Sequence, residues 1–212
     1  MTKRVSLHPA DFVEAALAHV DEHGAAGLSA RVLGEAMGVD PTALYRHFPS
    51  MDDLHGAILD HLFGLMLEES ITGTTARDRL RSHAMNVHRV FYAHPNVLGL
   101  ILTSRGDLAN GDRMSELGLG LIRALGLTGS DLTLCHQMLE SFIVGTHVID
   151  LGGAPHHLAV RLYRRRRLND PDIDASTRTV EDVERLNIAA FEVGLDALLD
   201  FCEARAKQPV QT

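Results

Sequence analysis

The chain has 212 residues, 45% of them hydrophobic and 23% charged, with a formal net charge of −8. That apolar share is too high for a disordered polypeptide, and the acidic balance argues against a protein that coats nucleic acid through its bulk field. The length suits a small domain joined to one of about 150 residues, and the division is expected between residues 1–55 and 56–212.

The opening Met1-Thr-Lys-Arg-Val-Ser has no apolar leader-like run, and no stretch of about 18 uninterrupted apolar residues occurs, so a cytoplasmic location without a membrane partner is expected. Cys135 and Cys202 each sit among apolar residues at helical spacing. Two such residues read as buried free thiols rather than a disulfide or metal pair.

In chain order, Val13, Ala16, Leu17 and Val20 recur at i, i+3, i+4, i+7, between Pro9 and Gly24, and predict a helix over about residues 8–23. Ser29 can cap a short second helix through Met37, with Val32, Leu33 and Ala36 expected to face inward. Gly38 supplies the tight conformation of a turn, and Asp40 can cap a third helix that carries Pro41 at its first position. That third helix, residues 41–48, is barely two turns and ends at Pro49, so it needs a supporting partner. Ser50 restarts the chain, and Leu54, Ile58, Leu62 and Leu65 carry a fourth helix, containing the domain handover, to the polar break Thr72–Thr75.

Further helical runs span residues 76–93, 95–105, 111–125, 130–151, 156–168 and 179–206, and no alternating strand pattern is present. The fold is therefore expected to be all-α, with about nine to ten helices. The stretch Arg164–Arg167 with the following Leu-Asn-Asp-Pro-Asp-Ile-Asp reads as a loop. Its arginines read as a solvated helix end, offset by Asp170, Asp172 and Asp174, ahead of a second nucleic-acid patch.

A helix, a glycine turn and a short exposed helix form the geometry that presents side chains to a DNA major groove. With Leu44 and Phe48 turned inward, Pro41, Thr42, Ala43, Tyr45, Arg46 and His47 are left outside. The methyls of Thr42 and Ala43 suit thymine methyls, Tyr45 and His47 suit phosphates, and Arg31 suits a guanine edge. The run Leu28-Ser-Ala-Arg-Val-Leu-Gly-Glu-Ala-Met-Gly-Val-Asp-Pro-Thr-Ala-Leu-Tyr-Arg-His-Phe resembles the DNA-binding signature of the tetracycline-repressor (TetR) family, closely over residues 8–65. Beyond that span the likeness is one of length and helical character.

The resemblance implies a helix-turn-helix at residues 29–48 in which Ala30, Arg31, Pro41, Thr42, Ala43, Tyr45 and His47 face DNA. It implies a fourth helix leading to a larger ligand-binding and dimerising domain. The implied protein is a transcriptional repressor, a homodimer on palindromic double-stranded operator DNA, released by a small-molecule effector and needing no cofactor. The residues do not set the sign of that response. One departure is clear: lysines common in the family just after the His-Phe pair are replaced by Pro49-Ser50-Met51. The first 55 residues hold four basic side chains (Lys3, Arg4, Arg31, Arg46) against eight acidic ones, a balance of −4. Lys3 and Arg4 are the candidates for a flexible arm to a nearby phosphate or minor groove.

For the effector, Arg81, Met85, His88 and Tyr92 share one helical face, and His136, Glu140 and His147 share another, offering polar groups within an apolar cavity. His136 and Glu140 alone are too few to hold a metal. The small residues Ala189, Ala190, Gly194 and Ala197 suit close helix approach at a two-fold interface. An enzyme is disfavoured because Gly-x-Ser-x-Gly, His-Glu-x-x-His and a phosphate loop are absent, and Gly118-Leu-Gly120-Leu-Ile-Arg falls short of a dinucleotide fingerprint. The remaining rival is a helical interaction module without DNA binding, for which the acidic N-terminal region is the best argument.

Overall fold

The structure, a computed structural model, describes residues 7–101, 108–151 and 157–207, excluding the side chains of residues 150 and 151. Among the described residues it contains ten α-helices, three short 3₁₀ segments and no strand. No described helix is long and apolar enough to cross a membrane.

Helix α1 (Pro9–His23) starts where the Asp11 carboxylate accepts the His8 N–H at 2.6 Å, and Pro9 occupies its first turn. It buries Phe12, Val13, Ala16, Leu17 and Val20, side chains that contribute about 1.5–3 kcal/mol each when large and fully buried. Helix α2 (Ala30–Met37) begins with the Ser29 hydroxyl accepting the Val32 N–H at 3.3 Å and ends at Gly38 in the left-handed conformation, φ 67°. Leu33 is buried and Val32 half-buried, but Ala36 is exposed, contrary to the inward placement expected of it. With only eight residues, α2 turns a narrow apolar face to the core, and Gly34 fills it: a Cβ there would lie 2.9 Å from the Val39 carbonyl oxygen and 3.1 Å from Pro41.

The expected third helix is instead a 3₁₀ segment, Pro41–Arg46. The eight residues between Asp40 and the Pro49 stop are too few to establish an α-helical ladder, and the tighter 3₁₀ turn suits a short piece. Helix α3 (Met51–Glu68) is capped by Ser50, whose hydroxyl accepts the Asp53 N–H at 3.2 Å, and runs unbroken across the expected domain boundary.

Helices α4 (Ala76–Ala93), α5 (Leu98–Ile101), α6 (Ala109–Ala124), α7 (Gly129–Leu151), α8 (His157–Arg166), α9 (Pro171–Ser176) and α10 (Val180–Ala206) complete the chain. A 3₁₀ turn, Pro95–Val97, links α4 to α5, and the rest of the helix expected to reach residue 105 lies outside the described residues. Helix α9 occupies what reads as loop in the sequence. Asp170 caps it, its Oδ1 accepting the Asp172 and Ile173 N–H groups at 3.0 and 3.1 Å, and Pro171 takes the first position. Of the arginine run, Arg165 donates to Asn187 Oδ1 at 3.3 Å, Arg166 donates to the Arg178 carbonyl at 2.7 Å, and Arg167 lies 5.9 Å from the Tyr163 ring centroid.

Two apolar clusters organise the packing. One runs from α1 and Leu33, Leu44 and Phe48 through α3 into Val87, Val90, Phe91, Val97, Leu98, Leu100 and Met114. The other joins Leu80 and Ala84 to Leu121, Ile122, Leu139, Phe191, Leu195 and Leu199. Cys135 and Cys202 lie in this second cluster as buried free thiols. Burial, reinforced by a hydrogen bond with Cys135, pushes the Cys202 thiol up to about 12.

Candidate functional site

The α1–α2 core holds Pro41–Arg46 through Leu44, and Phe48 follows it inward. Asp40 fixes its start: Oδ1 accepts the Thr42 N–H at 2.8 Å and the Thr42 hydroxyl at 2.6 Å. These two bonds hold the Asp40 carboxyl below the usual carboxylate range. The Thr42 hydroxyl proton is thereby committed, leaving the methyl and the oxygen lone pairs for an outside partner.

Pro41, Thr42, Tyr45, Arg46 and His47 are exposed and Ala43 is half-buried. Tyr45 is 50% exposed, a large value for an aromatic residue. His47 sits against Phe12 of α1, the ring centroids 5.5 Å apart. At the start of α2, Ala30 is half-buried and Arg31 exposed, with Arg31 Nε 3.1 Å from Glu35 Oε1 one turn along. The seven residues expected at DNA thus lie on α2, the following 3₁₀ segment and its C-cap His47, and none of them is buried. Lys3 and Arg4 lie outside the described residues. Asp52 and Asp53 occupy the first turn of α3, where the missing lysines would stand nearby.

A second site lies in the helical body, a cavity of about 210 Å³. Its walls come from Phe63 of α3; Leu80, His83, Ala84, Val87 and Phe91 of α4; Ile101 of α5; Met114, Ser115 and Gly118 of α6; and His136, Leu139, Glu140 and Ile143 of α7. His83, Leu80, Phe91 and Ile122 are buried and form the floor, whereas Ser115 and Glu140 are exposed at the mouth. Burial holds the His83 imidazole down to about 4, so it is neutral near pH 7. Among the described residues no set of three His, Cys, Asp or Glu side chains converges as a metal site.

Of the seven residues expected around an effector, His136 and Glu140 line this cavity and the other five do not. Arg81 pairs with Asp196 of α10, Nε to Oδ1 at 2.9 Å and Nη2 to Oδ2 at 3.3 Å. Met85 packs against the second cluster. The Tyr92 hydroxyl donates to Glu184 of α10 at 2.8 Å. His88 stacks on Phe191 at 4.0 Å and bonds His147 at 2.9 Å, ring nitrogen to ring nitrogen. His147 Nδ1 donates to the Ile143 carbonyl at 2.6 Å, which leaves Nε2 as the acceptor for a proton on His88.

The Arg81–Met85–His88–Tyr92 face of α4 therefore docks on α10. The cavity faces the adjacent 80–83–84–87–91 stripe, where His83 is the polar member that sequence reasoning missed. Gly194, expected at an interface between copies, instead faces Phe142 of the same chain, where a Cβ would lie 2.6 Å from the Phe142 ring.

Two family models match the chain. Residues 12–58 match the model described as bacterial regulatory proteins, tetR family, and residues 71–205 match the tetracyclin repressor-like C-terminal domain. The chain belongs to the TetR family.

Among curated relatives, a helix-turn-helix transcriptional repressor of Mycobacterium tuberculosis is 29% identical over 154 residues, 70% of this chain and 59% of that protein. A helix-turn-helix transcriptional regulator of Saccharopolyspora erythraea is 26% identical over 134 residues, 63% of this chain and 57% of that protein. The chain thus spans less than two thirds of the length of these relatives. Solved structures share the TetR fold. A possible TetR family regulator from Streptomyces coelicolor superposes with a TM-score of 0.75 at 24% identity, covering 93% of this chain and 99% of that one. BioQ, solved with its double-stranded DNA operator, gives 0.68 at 23% identity over 94% and 99%. Streptomyces coelicolor ActR, solved with (S)-DNPA, gives 0.69 at 20% identity over 95% and 100%. At these identities the structural likeness carries the fold.

Proposed function

We propose that this chain is a cytoplasmic transcriptional repressor without catalytic activity, which binds palindromic operator DNA as a homodimer and releases it when a small molecule enters the α4–α7 cavity. The observation that carries this reading is the exposed Pro41–His47 surface, anchored from behind by buried Leu44 and Phe48. A short element held this way has no packing use for Thr42, Tyr45 or Arg46, and its width suits a major groove. Ala30, Arg31, Pro41, Thr42, Ala43, Tyr45 and His47 form the DNA-facing set, with Lys3 and Arg4 as an arm. Residues 1–55 form the reading domain and 56–212 the effector and dimer domain. Structures of BioQ with its operator and of ActR with (S)-DNPA support both halves by family likeness.

A homodimer is required because one short element reads a half-site, and two must lie about one DNA turn apart. The effector acts by population shift, favouring a spacing of the two reading elements that the operator does not match. The test is a gel shift with the DNA flanking the chain's own gene. A specific, competitor-resistant shift is expected, with base preference relaxed in Arg31→Ala and affinity lowered without change of preference in Tyr45→Phe. Absence of any specific shift at low salt overturns the reading.

A further inference from the structure

The cavity walls carry a chemical bias. Among the described residues no lysine or arginine lines the cavity, so an anionic group held by these walls would meet no counter-charge from either and would lose its hydration uncompensated. Among the described residues polar capacity is confined to His83 on the floor and Ser115, His136 and Glu140 toward the mouth. The Ser115 hydroxyl already donates to the Gly111 carbonyl at 3.1 Å and so offers a visitor only acceptor lone pairs. Glu140 carries a carboxylate that only accepts. Neutral His83 has one nitrogen free of a proton whichever tautomer it adopts.

Gly118 shapes the space in front of His83. It lies mid-helix on α6, and a Cβ at that position would sit 3.9 Å from His83 Nε2, so glycine leaves the imidazole edge uncovered. The remaining walls, from Leu80, Val87, Phe91 and Leu139, are apolar. About 210 Å³ would hold roughly seven waters at their liquid volume, and an apolar cavity of about 150 Å³ takes benzene. Two fused rings, or an equivalent of about ten non-hydrogen atoms, match that room.

We propose that the cavity binds a compact, mainly apolar molecule with one hydrogen-bond-donating head, a hydroxyl or an amine, seated between His83 and the Ser115–Glu140 mouth, and that it discriminates against carboxylates and phosphates of the same skeleton. This assignment deepens the effector reading above and rests on it for its regulatory meaning. The apolar body fills the floor, and the head donates to an acceptor that Ser115, Glu140 or the unprotonated His83 nitrogen offers.

Four probes with one carbon skeleton test it on the full chain by calorimetry and thermal shift: naphthalene, 2-naphthol, 2-naphthylmethylamine and 2-naphthoate. The naphthol and the amine are expected to bind and raise the melting temperature, with naphthoate at least tenfold weaker. His83→Leu is expected to reduce naphthol binding more than naphthalene binding, and Gly118→Leu to abolish both while the variant melts cooperatively. Gly118→Ala, whose Cβ makes only ordinary contact, keeps the test valid if the leucine variant does not fold. Naphthoate binding as tightly as naphthol, no probe binding to the folded chain, or binding indifferent to filling at Gly118 each overturns the proposal. If the probes bind as expected while the operator complex persists, the ligand class stands and the effector-release reading fails. If the chain shifts no operator DNA, the DNA reading fails and the probe panel still decides the ligand class.

Discussion

Asp21, on the last turns of α1, accepts from or pairs with His94 at the end of α4, carboxylate oxygen to imidazole Nδ1 at 2.8 Å. Asn96, two residues on, donates to the Asp21 main-chain carbonyl at 2.8 Å. The same α4 forms the cavity floor from Leu80 to Phe91, so one rigid helix touches the ligand space at its middle and the reading domain at its end. His94→Ala is expected to cost about 1 kcal/mol of stability, a typical net hydrogen-bond contribution. It should also shrink the ratio of operator affinities measured without and with a bound effector. An unchanged ratio would remove the latch from the route.

Gly34→Ala should damage DNA binding without touching a DNA-facing side chain. The new methyl would press on the Val39 carbonyl and the Pro41 ring and force α2 away from the 3₁₀ element. Overpacking of this kind costs about 1–3 kcal/mol, and a chain of this size loses about 2–4 °C in melting temperature per kcal/mol. Thermal melts and operator titrations of the same preparation check both effects. Wild-type values in both would show that α2 can relax at no cost.

Acid should destabilise the helical body before it affects carboxylate networks. Burial holds His83 and His88 down to about 4 from an ordinary 6.5, with neighbouring His147 adding to the effect at His88. Between those values the unfolded chain binds protons that the folded chain refuses. The stabilisation is therefore complete above pH 6.5 and lost as pH falls toward 4, with a slope of at most roughly 1.4 kcal/mol per pH unit for each imidazole. Denaturant midpoints at pH 7.5, 6 and 5 should show the slope, and His83→Leu should reduce it. A His83→Leu slope equal to that of the wild type would assign the effect elsewhere.

Asp40→Asn is expected to strengthen operator binding. Asparagine caps a helix start as well as aspartate does, so the Thr42 bonds persist while a negative charge leaves the proposed DNA face. Two unit charges near a surface interact by about 1 kcal/mol or more at short range, so a several-fold gain is expected, largest at low salt. Stability should stay within about 0.5 kcal/mol. Equal affinity at 50 and 200 mM salt for both proteins would place Asp40 away from the phosphates. With few bases at this face, the wild-type salt slope should itself be shallow.

Val193→Asp should give a monomer. Val193 is 71% exposed and lies on an apolar stripe of α10 with Leu186, Ala189, Ala190, Ala197 and Phe201, all exposed; Ile149 on α7 is 70% exposed. A charge in the middle of that stripe would be buried unpaired between copies. Light scattering should report half the mass, and operator affinity should fall by about 10²-fold as the second half-site contact is lost. A dimer that survives the substitution would move the interface off α10.

Much of the reading domain was legible because its signals are local. Ser29, Gly38, Asp40 and Pro41 each act within a few residues, and each plays in the fold the role its chemistry predicts. The helical type of Pro41–Arg46 was not, since only length separates a 3₁₀ from an α turn there. Helix α9 carried its own start signal, Asp170-Pro171 with acids in the first turn, but a charged run with one apolar residue does not resemble a packed helix. The cavity was half legible. Periodicity groups Arg81 with His88 and Tyr92 on one stripe of α4, yet which stripe meets α10 and which meets empty space depends on how the sequence-distant helices α6, α7 and α10 pack. His83 shows no local sign of its role.

The apolar cluster that supports the reading domain has a consequence for how such a chain can diversify. Val87, Phe91 and Met114 belong both to that cluster and to the cavity wall. Reshaping the cavity through them loosens the base on which the proposed DNA-facing element rests. Ser115, Gly118, His136 and Glu140 line the cavity outside that cluster. A lineage adapting to a new chemical signal can change these four without renegotiating its hold on the genome, and divergence among near relatives should accumulate there first.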